Sequence, residues 1–172
     1  MLLMGALKQD HAPILAPGRH FVTLSDIEAL CVIPFNGAAR AHREQRYLGL
    51  EQLVQALLVA KLPCHLIADG SFFTYKPLPD DLDVVISIDY DVSMSLTEDQ
   101  RQVLDLINDE SSFQYLDSTA FFNYPLDHEC FGGAYDAAIA TEGYGIEHSK
   151  QWLKGYAVLR IMETDVGLRI CN

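Results

Sequence analysis

Two carboxylates one residue apart, Asp81 and Asp83, open the run Asp81-Leu82-Asp83-Val84-Val85-Ile86. Upstream of them, with nine residues between, lies a small turn, Gly70-Ser71, which closes the apolar run Cys64 to Ala68 through Asp69. In a strand, residues i and i+2 point to one face, so Asp81 and Asp83 would project together. Like charges so placed repel, and a divalent cation between them relieves the cost. Mg²⁺ suits such a place, because it takes hard oxygen ligands, often one or two carboxylates together with substrate phosphates. Gly70 lets a phosphate come close to the backbone, and Ser71 adds a hydroxyl and an N–H. Lys76, in a loop stiffened by Pro77 and Pro79, brings an ammonium that could meet a β- or γ-phosphate as a point charge. Each residue also has a plainer reading. The acidic pair with Asp80 fits a solvated strand edge, Gly-Ser is a common turn, Asp69 fits a structural role and Lys76 fits an exposed lysine.

Helices and strands must position these groups. Pro13, Pro17 and Gly18 punctuate an irregular arm over about residues 1–24, with Met1 to Leu7 as a packed strand or a tail. Ser25-x-x-Glu28 has the form of a capping box before a short helix with Ile27, Leu30 and Cys31 inward. From Ala38 to Lys61 no proline intervenes, and Leu50, Leu53, Val54, Leu57 and Leu58 recur at helical spacing, so a long amphipathic helix is predicted. Cys64 to Ala68 and Leu82 to Ile88 read as buried strands, joined through the stiff Pro77-Leu78-Pro79-Asp80 loop. Thr97-x-x-Gln100 caps a helix running to about Glu110, and Phe113 to Phe122 alternates as a third strand. Beyond it, Glu129 to Tyr144 reads as a broken helix or loop, and Gly155 to Ile161 with Val166 to Ile170 as a terminal hairpin. The order predicts one domain over residues 1–172, an α/β (α+β) fold with helices packed on a mixed sheet.

Composition narrows the function classes. Twelve basic against twenty-four acidic residues leave a net charge of −12, which opposes a nucleic acid as main partner while leaving a metal-bound nucleotide open. No apolar run approaches the roughly eighteen residues of a membrane span. Cys31, Cys64, Cys130 and Cys171 lie far apart with no C-x-x-C, and the N-terminus lacks a basic leader, so a reduced, cytoplasmic protein is expected. Arg40, Arg43 and Arg46, spaced by three with Glu44 among them, read as the solvated side of a helix. His128 and Cys130 are near enough to suggest a metal, but no further ligands accompany them. The aromatic sets Phe72, Phe73, Tyr75 and Phe121, Phe122, Tyr124 read as core, with one ring near the turn available to a nucleobase.

The pattern of an apolar strand, Gly70-Ser71, a short spacer and Asp81-Leu82-Asp83-Val84 resembles the nucleotidyltransferase superfamily, which has the DNA polymerase β-like fold. The resemblance extends to small bacterial proteins of that fold through Leu15-Ala16-Pro17-Gly18-Arg19-His20, Thr23-Leu24, Asp69-Gly70-Ser71-Phe72, Lys76-Pro77 and Lys154-Gly155. It is clearest over residues 15–88 and thin beyond Asp91. The resemblance implies transfer of a nucleoside monophosphate from a nucleoside triphosphate, with Mg²⁺ or Mn²⁺ held by Asp81 and Asp83. It implies a third carboxylate on a neighbouring strand that joins the metal ligands and helps activate the nucleophile, for which Asp117 in Tyr115-Leu116-Asp117-Ser118-Thr119 is the candidate. The acceptor stays open: a protein hydroxyl, a small molecule or a nucleic-acid end, the last disfavoured by charge. The alternative is a binding protein, antitoxin-like, that keeps the fold without the reaction.

Overall fold

The computed structural model describes residues 11–109, 111–131 and 154–169. Strand β1 (Gly18–Phe21) leads into helix α1 (Leu24–Cys31) and the long helix α2 (Gly37–Val59). Strand β2 (Cys64–Asp69), a single 3-10 turn (Ser71–Phe73) and strand β3 (Leu82–Asp89) follow. The one-turn helix α3 (Tyr90–Ser93), helix α4 (Glu98–Ile107), strand β4 (Leu116–Asn123) and strand β5 (Gly155–Ile161) complete the order. The strands form one five-stranded sheet, β1-β5-β2-β3-β4. β1 is parallel to β5 and β3 to β4, whereas β2 runs antiparallel to both β5 and β3. This is the mixed α/β sheet with packed helices that the order of elements predicts.

The helices cover one face of that sheet. Period-2 alternation sends Leu66, Val84, Ile86 and Leu159 to that side, where they meet Leu24 and Ile27 of α1, Leu50, Leu53 and Leu57 of α2, and Leu104 and Ile107 of α4. Burying each such aliphatic chain contributes about 1.5–3 kcal/mol. The alternate residues Ile67, Val85 and Val158 form a smaller apolar strip on the other face, with Phe121 and Tyr156 packed against it. No helix among the described residues is long and apolar enough to cross a membrane.

Local details depart from the sequence reading for identifiable reasons. The first capping box is Thr23 with Asp26, not Ser25 with Glu28: the Thr23 hydroxyl accepts the Asp26 N–H, and Asp26 accepts from the Thr23 N–H. The shorter aspartate closes the same reciprocal pair as a glutamate and starts the helix one residue before Ser25. That phase buries Leu24, Ile27 and Cys31 and leaves Leu30 exposed. The second box, Thr97 with Gln100, forms as predicted, and its helix ends at Ile107. The arm is not wholly irregular, because Gly18–Phe21 adds to the sheet beside β5. No hairpin forms between Gly155–Ile161 and residues 166–169; β5 instead inserts between β1 and β2. Met1 to Leu7, most of Glu129 to Tyr144, Ile170 and Cys171 lie outside the described residues.

Candidate functional site

The topology brings the chemically suggestive residues to one end of the sheet. β2 ends at Asp69, where its antiparallel neighbours β3 and β5 begin, and β1 and β4 start at that same end. Asp69 is the register partner of Asp83, and Asp83 is the register partner of Asp117. Direct partners share a face, so the three aspartates make a row across β2, β3 and β4. That face is the one opposite the helices, since Val85, two residues from Asp83, lies in the strip there. Asp81 sits two residues before Asp83, just outside β3, and both are partly exposed. Asp117 is exposed.

Gly70 explains why the turn beside this row holds no side chain. Its φ is +89°, a left-handed value that favours glycine, and a Cβ built there would overlap the Asp83 carboxylate. Ser71 begins the 3-10 turn and is partly exposed; its carbonyl accepts from the Thr74 hydroxyl at 2.8 Å. The Lys76 ammonium pairs with Asp80 at 2.7 Å. The Asp80 side of that pair is largely solvated, and such pairs contribute only about 0–1 kcal/mol. A phosphate could therefore draw Lys76 away at little cost.

Asp69 is the buried member of the row. It is 1% exposed, and its Oδ2 takes the buried Lys154 ammonium at 2.8 Å. Burial pushes its carboxyl up to about 7, opposed by the Lys154 charge and by the Gly70 N–H, with the Asp83 charge adding to the rise. The Gly70 N–H is near enough to favour the anion, yet Oδ1 makes no hydrogen bond of good geometry. The signal available in the sequence was the acid beside the turn. Its partner, far along the chain, was not visible locally.

Two arginines assigned to a solvated face are core residues. Arg43 is fully buried, and its guanidinium donates to the carbonyls of Cys31, Phe72, Thr74 and Lys76 at 2.6–2.9 Å while lying 3.7 Å above the Phe35 ring. Burial lowers its pKa to about 10, so it stays charged at neutral pH. Arg46, 5% exposed, donates to the carbonyls of His42 and Asp80 and stacks on Tyr115 at 4.1 Å. The His42 ring adds a 2.6 Å contact to the Pro79 carbonyl. Together these α2 side chains hold the loop from Phe72 to Asp80, which spans the distance between the Gly70-Ser71 turn and Asp81. A guanidinium offers five donors in a fixed fork, which is why arginine can tie several carbonyls of a loop that has no ladder of its own. Arg40, at the same spacing, is exposed as expected.

Among the described residues, no three His, Cys, Asp or Glu side chains gather into a ready-made metal cage. His128 is occupied by Tyr90 and Tyr124, contacting the Tyr90 hydroxyl at 3.1 Å and stacking on the Tyr124 ring. Asp81 and Asp83 lie one residue apart beside the Gly70 turn, both partly exposed, and carboxylates are the hard oxygen donors that Mg²⁺ takes, commonly alongside phosphates and water. Asp83 is itself engaged within the molecule.

No curated protein and no solved structure matches the chain. A family model, described as a family of unknown function (DUF6932), matches residues 7–160, a stretch that includes the whole acidic row, the Gly70-Ser71 turn, Arg43 and Lys154. The chain belongs to that family of unknown function (DUF6932).

Proposed function

We propose that the protein is a metal-dependent nucleotidyltransferase that moves a nucleoside monophosphate from a nucleoside triphosphate to an acceptor hydroxyl, on a protein or a small molecule. The observation that supports this most directly is the pairing of Asp83 with Asp117 beside a turn, at Gly70, that excludes a side chain. Asp81 and Asp83 would hold Mg²⁺ or Mn²⁺, which when bound polarises the transferring phosphoryl group and offsets its charge. The Gly70 and Ser71 backbone receives phosphate oxygens, and Lys76 exchanges Asp80 for the β- or γ-phosphate. Asp117 accepts the acceptor hydroxyl's proton as the new O–P bond forms at the α-phosphorus; the bond to the bridging oxygen breaks and pyrophosphate leaves.

The charge of −12 favours a small or protein acceptor over a nucleic-acid end. A reducing compartment such as the cytoplasm suits the free thiols of Cys31, Cys64 and Cys130.

A second reading, an antitoxin-like binding protein, draws on the same row. With no group of three metal-binding side chains among the described residues, and with Asp69 paired to Lys154, the acids would be a retained scaffold. The test is incubation with each α-³²P-labelled nucleoside triphosphate and Mg²⁺ or Mn²⁺, with and without cell lysate. Transfer of label that disappears in the Asp81→Asn/Asp83→Asn double variant is expected. Transfer retained in a folded double variant would refute the catalytic assignment, and capture of one defined partner equally by both forms, without transfer, would favour the binding protein.

A further inference from the structure

The acidic row continues across the rest of the sheet and ends on a cation. Arg19 of β1 is the register partner of Tyr156 of β5. One residue beyond the Ala68–Ala157 pair, the β5–β2 register brings Tyr156 opposite Asp69. Tyr156 packs against Val158 in the strip on the face opposite the helices, so Arg19, Tyr156, Asp69, Asp83 and Asp117 stand in one line on one face at one end. From Arg19 to Asp83 the line crosses three strand spacings, roughly 14 Å between backbones.

Arg19 is exposed and makes no ion pair among the described residues, unlike Lys76, Lys154 and Arg169. Its Nε donates to the Tyr156 hydroxyl at 3.4 Å, and its guanidinium lies 6.0 Å from the Tyr156 ring. That contact uses Nε and leaves the two terminal nitrogens, the prongs that match a phosphate. Next along the same strands Phe21 is paired with Val158. Both line an open groove of about 260 Å³ with Asp26, Arg160, Thr164 and Asp165, which neighbours the row on the side away from the acids.

We infer that Arg19, oriented by Tyr156, takes the γ-phosphate of the nucleoside triphosphate, leaving the β-phosphate to Lys76. The inference rests on the nucleotidyltransferase reading of Asp81 and Asp83. With the α-phosphate at the acids, a triphosphate chain and an arginine side chain together bridge the span between the strands. Arg19 then supplies a cation at the far end of a row whose other charged members are acids, and it distinguishes triphosphate from monophosphate.

The test measures Mg²⁺-dependent binding of ATP, GTP, CTP and UTP, and of the monophosphate matching whichever binds. Wild type is compared with Arg19→Ala, Arg19→Lys, Tyr156→Phe and, as a control for lost charge alone, Arg40→Ala. Arg19→Ala is expected to weaken triphosphate binding about tenfold or more, the scale of a charge-assisted phosphate contact. Monophosphate affinity should stay within about twofold, and Arg19→Lys should recover part of the loss. Tyr156→Phe should show a smaller loss and Arg40→Ala none. Circular dichroism and melting check that each variant is folded. Unchanged triphosphate affinity in Arg19→Ala, or equal weakening of both nucleotides, would overturn the subsite and leave the metal site standing. Absence of metal-dependent triphosphate binding in wild type would overturn both.

Discussion

Asp83 and Asp117 are direct register partners on the parallel strands β3 and β4, so two carboxylates from segments more than thirty residues apart share one face at one end of the sheet. Parallel pairing matters here. It lets both strands begin at the same end, so that their first residues, rather than opposite ends, come side by side.

If Asp117 accepts the acceptor's proton, Asp117→Asn should lower turnover by about a hundredfold or more, within the usual contribution of a general base. Metal-dependent triphosphate binding should change little, because Asp81 and Asp83 remain. Turnover by label transfer and binding by calorimetry separate the two. A parallel loss of both would place Asp117 in nucleotide binding instead.

Gly70→Ala forces a Cβ into the Asp83 carboxylate at a backbone φ of +89°. The backbone conformation alone costs roughly 1–3 kcal/mol in a non-glycine residue. Urea unfolding should show a loss of at least that size, and label transfer should fall together with it because Asp83 must move. A stable Gly70→Ala protein with full transfer would separate the turn from the acid pair.

Arg43→Met should destabilise the fold by at least about 3 kcal/mol, since several buried carbonyls lose their donor together. Arg43→Lys should rescue only part of this, because one ammonium cannot reproduce the planar fork. Denaturant midpoints of the three proteins check the ranking. Equal stability of Arg43→Met and wild type would mean that water replaces the guanidinium without cost.

Asp69 gives stability a distinctive pH dependence. Its carboxyl titrates at about 7 in the fold against 3.8 in the free chain, because burial disfavours the anion more than Lys154 favours it. Between those values the unfolded chain gives up its proton while the fold keeps it, so this contribution is full below about pH 4 and is lost as pH rises to about 7. Asp26 and Asp109 act oppositely: hydrogen bonds hold their carboxyls below the ordinary value, so their stabilisation fades only as pH falls below about 4. Urea unfolding from pH 4 to pH 8 should show Asp69→Asn with a shallower decline than wild type. An unchanged slope would show that Asp69 ionises normally beside Lys154.

Much of this fold is legible locally. Branched residues mark β2 and β3, helical spacing marks α2, and Thr97 with Gln100 announces α4, because each signal lies within a few residues of its effect. Asp81, Asp83 and the Gly70-Ser71 turn could be picked out the same way. Other features depend on partners remote in sequence. The short strand Gly18–Phe21 owes its state to β5, and the Gly155–Ile161 segment pairs with β1 and β2 rather than folding back on its neighbours. Arg43 and Arg46 have surface-like spacing; only the carbonyls of a loop about thirty residues away turn that side of α2 into an interior. Asp69 likewise reveals its burial only when Lys154 arrives.

The insertion of β5 between β1 and β2 has a consequence for synthesis. A chain emerging from the ribosome can form α1, α2 and the β2–β3 pair early, but β1 has no strand beside it until residues 155–161 have been made. Until then the β2 edge is uncovered and Asp69 has no Lys154, so the acidic end of the sheet faces water without its counter-charge. Pairing of such sequence separation is slow to close. Before residues 155–161 are made, the helices and the Asp83–Asp117 pairing can form while Asp69 lacks Lys154, and the open β2 edge is then a place where a chaperone, or an unwanted second chain, can bind.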